Sequence, residues 1–177
     1  MISALLHRGT CNFEQQFNYD ARYQHEIIDI DPRAGARLAG FQMLSNYRGP
    51  ASARDIVLGA FIGSTVEGDC GPCAQLTVDM ALAAGADPDA LRACLAGQDA
   101  GDLTLGYRFA QAAIAGAPSL DELRGRIHAA HGPRAVVAAT FAAAFGRTYP
   151  VLKRGMGHGQ TCKRLQVGDV AVDVAAA

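Results

Sequence analysis

Apolar residues recur at spacings of three and four along most of the chain, which is the pattern of helices that bury one face. Proline and glycine mark the boundaries, because proline is tolerated in the first turn of a helix and glycine commonly ends one. At Asp87-Pro88, for example, Asp87 can cap a helix whose first position is Pro88. Pro150 is expected to kink or interrupt the last helix. The pattern predicts helices over 32–47, 73–84, 88–96, 102–113, 120–131 and from 133 onward.

Two segments are less clear. Residues 53–66 are compatible with a helix, but the run 56–62 is apolar enough to be a buried strand, and both possibilities stay open. The segment 167–172 alternates weakly between apolar and polar residues and is predicted to be an extended arm. A helical stripe in the first segment would consist of Ile56, Val57, Ala60, Phe61 and Ser64.

These elements predict an all-α bundle with short connections that contain glycine and proline. A chain of 177 residues is long enough to bury one core without disulfides or metal. We divide it into an N-terminal arm at 1–31, a helical domain at 32–165 and a C-terminal tail at 166–177. The aromatic residues of the arm are expected to pack it onto the body or onto a neighbouring subunit: Phe13, Phe17, Tyr19 and Tyr23.

Composition and charge narrow the range of partners. The chain has 16 basic and 17 acidic residues, so its net charge of −1 gives no electrostatic reason to expect nucleic acid or an anionic membrane. No apolar run reaches the roughly 18 residues needed to span a bilayer, and the N-terminus lacks the features of a signal peptide. An odd set of five cysteines without an export signal favours a reducing compartment. We therefore predict a cytoplasmic protein that binds neither nucleic acid nor membrane.

The sequence Cys70-Gly-Pro-Cys73, at the predicted start of a helix, carries the clearest chemical signal. Two cysteines at this spacing can form a small-ring disulfide. Backbone N–H groups and the helix dipole stabilise a thiolate at a helix N-terminus and lower the pKa of a thiol placed there. We therefore predict that Cys70 is the attacking thiolate and that Cys73 completes the disulfide.

Sulfur chemistry also needs a route for protons. Glu67 and Asp69 lie three and one residues before Cys70, and either carboxylate could serve if partial burial raised its pKa. Alternatively, both are ordinary loop carboxylates, with Asp69 as the N-cap of the following helix. Both interpretations stay open at this point.

Two alternatives compete with redox chemistry. A structural zinc site would need two ligands besides Cys70 and Cys73, and His158 with Cys162 supplies a pair at a spacing of four. The two cysteines could also be small core residues of a non-catalytic helical module. The sequence contains no second Cys-x-x-Cys, phosphate loop, paired-histidine motif or Ser-His-Asp order, so we predict neither a resident metal nor a cofactor. The other cysteines are interpreted as packing or surface residues: Cys11, Cys94 and Cys162.

Cys-Gly-Pro-Cys is also the tetrapeptide of thioredoxin, but that fold needs a β-rich sheet and normally has a tryptophan before the first cysteine. Here Asp69 stands at that position and tryptophan is absent. The segment 70–85 instead resembles the alkylhydroperoxidase D-like branch of the carboxymuconolactone decarboxylase superfamily. In that family a Cys-x-x-Cys opens a helix that closes with an Ala/Gly pair, and a short helix started by Asp-Pro follows. Residues 107–112 and 148–157 look like its two C-terminal helices, so the resemblance covers roughly 40–165.

The resemblance implies an all-α fold that assembles as a dimer, trimer or hexamer. It also implies an enzyme, a thiol-dependent peroxidase or disulfide reductase. Such an enzyme acts on a peroxide or a small disulfide and is restored by an external dithiol. Cys70 and Cys73 match the family's cysteines directly.

The chain departs from the family at two positions of the proton relay. Thr77 stands where the family often has a histidine, four residues after the second cysteine, and Leu58 stands where it often has a glutamate. A relay would then have to be rebuilt from Glu67 or Asp69. The decarboxylase branch, which usually lacks the cysteine pair, implies a further alternative, a non-redox enzyme that acts on a small carboxylate or lactone.

Overall fold

Helices dominate the structure, which confirms the all-α prediction. The computed structural model describes residues 2–44, 46–160 and 164–175, and within them it contains nine α-helices, a short 3₁₀ turn at Ala51–Ala53 and a two-stranded sheet. The strands are β1 (Arg164–Val167) and β2 (Val170–Asp173). The helices are α1 (Ile2–Phe17), α2 (Arg22–Ile30), α3 (Pro32–Leu44), α4 (Arg54–Glu67), α5 (Gly71–Ala83), α6 (Pro88–Leu95), α7 (Asp102–Ala115), α8 (Leu120–His131) and α9 (Pro133–Gly155).

The segment that fitted either a helix or a strand forms α4, the central helix of the molecule. It packs mainly against α7 and α9, and eight of its fourteen residues are buried. Residues on several sides of the helix are enclosed, including Ile56, Val57 and Ile62. A helix surrounded in this way has no polar face, so its sequence lacks the one-sided pattern by which a surface helix is recognised.

The backbones of α4 and α7 approach each other closely at glycines. A Cβ atom at Gly106 of α7 would collide with the carbonyl oxygen of Ile56, and one at Gly59 of α4 would collide with that of Leu103. Only glycine leaves room for backbone at these positions. The close crossing fixes α4, against which α5 then packs.

The ends of α5 follow from local sequence. Cys70 is its N-cap, with extended backbone (φ −121°, ψ 94°), and Pro72 stands in the first turn, where a missing N–H costs little. Gly85 has φ +81°, and its N–H donates to the Leu82 carbonyl oxygen at 2.9 Å. The predicted glycine end of the helix is therefore confirmed. The cap of α6 is confirmed as well, because the Asp87 carboxylate accepts a hydrogen bond from the Asp89 N–H at 3.0 Å.

The last helix, α9, runs through Pro150 to Gly155, so it is not interrupted at Pro150. Its alanines at 135, 138, 139, 142 and 143 belong to the core shared with α4, α7 and α8. By length and composition α9 could cross a membrane. The core helix of a globular protein has the same length and composition.

The N-terminal arm, residues 1–31, contains α1 and α2. Its aromatic side chains pack onto the body of the same chain through residues of α5 and α9. The cluster includes Tyr19, Tyr23, Phe13 and Phe17 with Leu76, Leu152 and Met156.

The C-terminal tail, predicted to be extended, forms an antiparallel hairpin in which Val167 pairs with Val170. Gly168 lies in the turn with φ +61°. Leu165 and Val167 of β1 are buried against α5 and α6. The weakly alternating segment 167–172 therefore covers the end of β1, the turn and most of β2, whose residues are at most partly buried.

Candidate functional site

Cys70 and Cys73 form a disulfide at the start of α5, with their Cα atoms 5.3 Å apart. Each is only 3% exposed. The extended N-cap residue and the first helical turn bring side chains three positions apart onto the same side, and this arrangement allows the bridge. Two further cysteines among the described residues are free thiols, Cys11 at the surface and Cys94 in the core.

The turn before the disulfide is held in place by α9. The Arg154 guanidinium donates to the Gly68 carbonyl oxygen at 2.6 Å, and Pro150 packs closely over Gly68. Asp69 follows in the left-handed region, with φ +48°, and its side chain is exposed. The N-cap is Cys70, so the interpretation of Asp69 as the cap is wrong.

Glu67, the other candidate proton carrier, ends α4 and is ion-paired with Arg147 of α9. Its Oε2 atom lies 2.9 Å from Arg147 Nη1, and both side chains are partly exposed. Its charged partner thus comes from a helix far along the chain.

Thr77 lies one turn beyond Cys73 and is 4% exposed. Its Oγ1 is 3.0 Å from Oγ1 of Thr65 in α4 and 2.8 Å from the carbonyl oxygen of Ala74. A threonine hydroxyl stays neutral near pH 7, so this buried pair links α5 to α4 and offers no titrating group. Leu58, which stands where the alkylhydroperoxidase D-like proteins often have a glutamate, is partly buried against the apolar side chains around α5 and α6.

An aromatic cavity of about 180 Å³ opens beside the disulfide. Cys73 and Thr77 line it, whereas Cys70 is absent from its lining among the described residues. The N-terminal arm supplies one wall, with Phe13, Tyr19 and Tyr23. Sequence reasoning missed this wall, because only the fold brings residues of the arm to α5. The aromatic spacing in the arm was the one available signal.

On the side of Pro72, the segment 157–160 folds across the start of α5. The carbonyl oxygen of Gln160 accepts a hydrogen bond from the Gly71 N–H at 2.9 Å. His158, a candidate zinc ligand, has its Nε2 atom 2.7 Å from Oε2 of Glu26 in α2. The fourth proposed zinc ligand, Cys162, lies outside the described residues. The two described cysteines of that set are bridged to each other.

Lys153 is a buried cation that sequence reasoning also missed. Its Nζ donates to the Tyr19 hydroxyl at 3.2 Å and lies 4.7 Å from the centre of the Tyr19 ring. Burial lowers the pKa of Lys153 and raises that of Tyr19, because each charged form loses water. Continuing the buried stripe of α9 through Gly146 and Pro150 at helical spacing reaches Lys153, and this was the signal in the sequence.

Comparison with known proteins identifies no relative: no family model, no curated protein and no solved structure matches this chain.

Proposed function

We propose that this protein is a thiol-dependent oxidoreductase, a peroxidase or disulfide reductase of the alkylhydroperoxidase D-like kind, that cycles Cys70 and Cys73 between dithiol and disulfide. One observation carries the proposal, namely the disulfide at the N-terminus of α5 beside an aromatic cavity. Helix N-termini favour thiolates, and a cavity next to the sulfur gives a small substrate a place to bind. A purely structural bridge would not need such a cavity.

The proposed reaction balances without a resident cofactor. With a peroxide, the thiolate attacks the terminal oxygen, the O–O bond breaks, and the alcohol or water leaves with a proton. The resulting sulfenic acid condenses with the second thiol to give the disulfide and water. With a disulfide substrate, two exchange steps release two thiols. An external dithiol then reduces Cys70–Cys73 and is itself oxidised.

Two arguments bear on which sulfur attacks first. Position in the helix favours Cys70 as the attacking sulfur. The first backbone N–H group that is free to stabilise the Cys70 thiolate is that of Cys73. Pro72 has no N–H, and that of Gly71 donates to Gln160. The cavity favours Cys73, because that cysteine lines it. Glu67 and Asp69 stay the candidate proton carriers on the Cys70 side.

The test uses single-serine variants in a background that lacks the other thiols, with Cys11, Cys94 and Cys162 replaced by serine. The reduced background protein should lose two thiols per chain on addition of a small excess of hydrogen peroxide or an aromatic disulfide, and peptide mass mapping should find the Cys70–Cys73 bridge. Of Cys70→Ser and Cys73→Ser, the variant that keeps the first nucleophile should form a stable mixed disulfide, and the other should react much more slowly.

The turnover arm of this experiment follows peroxide consumption with a dithiol donor. Cys70→Ser and Cys73→Ser should both abolish turnover, while the background protein itself, in which Cys11, Cys94 and Cys162 are already serine, should retain it. If the bridge does not form under mild oxidant, or if turnover survives both variants, the proposal is wrong. Activity on a lactone that survives Cys70→Ser would favour the decarboxylase-like alternative.

The remaining parts of the proposal concern partners and location. Homo-oligomers, as dimers, trimers or hexamers, are implied by the resemblance, and α9 carries exposed apolar side chains at Val137 and Phe141 that would suit such contacts. A cytoplasmic location would supply the dithiol reductant. Like the absence of nucleic acid and membrane partners, these stay predictions.

A further inference from the structure

The N-terminal arm brings together five titratable side chains that the proposed redox chemistry does not use. His7, Cys11 and Glu14 are spaced four and three residues apart, so they lie on one face of α1. His25 and Asp29 are four residues apart on α2, which packs against α1. The two faces meet, and they bring nitrogen, sulfur and oxygen donors to one place.

Three of these groups can reach a common point. The Cys11 thiol, the Glu14 carboxylate and the His25 ring each offer one atom within 4.8 Å of the others. His25 Nε2 lies 3.2 Å from Glu14 Oε2 and 4.0 Å from Cys11 Sγ. Glu14 is already oriented, because its other oxygen, Oε1, accepts a hydrogen bond from the Ala21 N–H at 2.8 Å.

His7 determines which ring nitrogen of His25 carries the hydrogen. The Nδ1 atoms of His7 and His25 are 2.6 Å apart, so one of them must carry the hydrogen. His7 Nε2 lies 2.9 Å from Asp29 Oδ1, and a carboxylate can only accept there, so this nitrogen carries a hydrogen. A neutral His7 therefore accepts at Nδ1, and His25 donates from its Nδ1. The Nε2 of a neutral His25 is then a lone pair that faces a carboxylate and a thiol.

A cation between His25 Nε2 and Glu14 Oε2, which are 3.2 Å apart, would be stabilised by both atoms, and a metal ion can take this place as well as a proton. We propose that Cys11, Glu14 and His25 form a zinc-binding site, with His7 and Asp29 as positioning residues behind His25. Binding releases the Cys11 thiol proton, and the fourth position stays open for water or a small ligand. The relay Asp29–His7–His25 has the form in which ligating histidines are commonly held, by donating the second ring N–H to a further acceptor.

Two of the three distances between the ligand atoms are close to those around a tetrahedral zinc ion, and the third is within 4.8 Å. With usual bond lengths, a nitrogen and an oxygen ligand lie about 3.4 Å apart, and a nitrogen and a sulfur ligand about 3.6 Å apart. The observed separations of 3.2 and 4.0 Å therefore need adjustments of only a few tenths of an ångström. Cys11 is exposed and can move by this amount. The mixed set of sulfur, nitrogen and oxygen donors favours Zn²⁺ over the oxygen-preferring Mg²⁺ and Ca²⁺.

The test is a metal titration of the full chain in a Cys70→Ser, Cys73→Ser, Cys162→Ser background, reduced with a phosphine and stripped with a chelator. This background removes the other conceivable zinc site, so the result is independent of the redox proposal. We expect one Co²⁺ per chain, with a near-ultraviolet charge-transfer band from the thiolate, displaced by one equivalent of Zn²⁺. Cys11→Ser should abolish the band, whereas Cys94→Ser should retain it because it removes the buried thiol instead.

Two histidine variants sharpen the assignment. His25→Gln should abolish tight binding, while the control His128→Gln, which alters an exposed histidine of α8, should bind as the background does. His7→Gln should weaken Zn²⁺ binding by about 10- to 100-fold while keeping the Co²⁺ charge-transfer band, as expected for a positioning residue. Circular dichroism verifies that each variant is folded. The absence of saturable binding, or a band that survives Cys11→Ser, would mean that these groups form only a hydrogen-bonded ion pair, and would overturn the proposal.

Discussion

Lys153 shows how the fold changes the chemistry of one residue. Its side chain is only 5% exposed, and its ammonium is held by the Tyr19 hydroxyl and by the faces of two tyrosine rings, Tyr19 and Tyr23. Cation–π contacts and one hydrogen bond offset part of the lost hydration. The remaining cost lowers the pKa of Lys153 below its ordinary value of 10.5.

This shift predicts a pH-dependent contribution to stability. Between the lowered folded pKa and 10.5, the unfolded chain binds more protons at Lys153 than the folded chain does, so the free energy of unfolding should rise with pH in that interval. Lys153→Met should lose this rise. Urea unfolding of both proteins from pH about 7 to about 9.5, below the titration of unfolded tyrosine, should show wild type gaining stability relative to the variant.

The control is Arg126→Met, which removes a charge from the exposed surface of α8. Arginine stays protonated in both the folded and the unfolded state over this range, so its curve should run parallel to that of wild type. If Lys153→Met also runs parallel, the ammonium of Lys153 is solvated in the native protein and the description of its environment is wrong.

At the scale of single residues, the position of the cysteines at a helix start could be predicted from the sequence, but the contacts around them could not. Cys70 at a helix start and Gly85 at its end follow from rules that span a few neighbouring residues. Of the two interpretations of Asp69, the cap is excluded, because Cys70 is the N-cap and Asp69 lies in a left-handed turn next to Gly68, which Arg154 and Pro150 of α9 contact. Contacts across some eighty residues leave no local pattern that could be recognised beforehand.

At the scale of secondary-structure elements, the close crossing of α4 and α7 depends on glycines. This dependence gives a second prediction. A Cβ at Gly106 would meet the backbone carbonyl of Ile56, which cannot rotate away. Gly106→Ala should therefore force the helices apart and lower the free energy of unfolding by about 2 kcal/mol or more, even though alanine is the better helix former. Urea denaturation measures the difference.

Gly125→Ala is the matched control, since Gly125 also lies within a helix but has open space around it. There the same substitution should stabilise the protein by about 0.5–1 kcal/mol, because alanine lowers the entropy of the unfolded chain and suits a helix. Equal behaviour of the two variants would show that α4 and α7 are not in backbone contact.

The elements themselves were largely predictable where one face is buried, and the confirmed glycine end of α5 and Asp87 cap of α6 show that local signals marked their boundaries. The pattern failed for α4, which is enclosed on several sides and therefore reads as either a helix or a strand. For the tail it predicted extended chain but not the hairpin, because two strands of four residues offer only two buried positions, Leu165 and Val167.

At the scale of the whole molecule, the arm and the bundle complete one another. The bundle positions Cys73 and Thr77 at the start of α5, and the arm closes the space in front of them with Phe13, Tyr19 and Tyr23. The same arm carries the proposed zinc ligands, Cys11 and Glu14 on α1 and His25 on α2. Metal binding would therefore link α1 to α2 and stabilise this pair of helices, which belongs to the arm that supplies one wall of the cavity.

A redox cycle requires that the whole fold tolerate both states of the cysteine pair, and this gives the last prediction. The bridge closes a loop between residues only three positions apart, so loop-closure entropy limits its contribution to about 2 kcal/mol. The cores around α4 and α5 consist of apolar contacts that do not depend on it. Reduction by a dithiol should therefore lower the free energy of unfolding by about 2 kcal/mol at most and leave the helical circular dichroism signal unchanged.

Urea curves of the oxidised and reduced protein, both in a background with Cys11, Cys94 and Cys162 replaced by serine, measure this difference. Cys70→Ser in that background should match the reduced protein. Global unfolding on reduction would mean that the bridge is a structural staple, and a catalytic cycle through the dithiol would then be untenable.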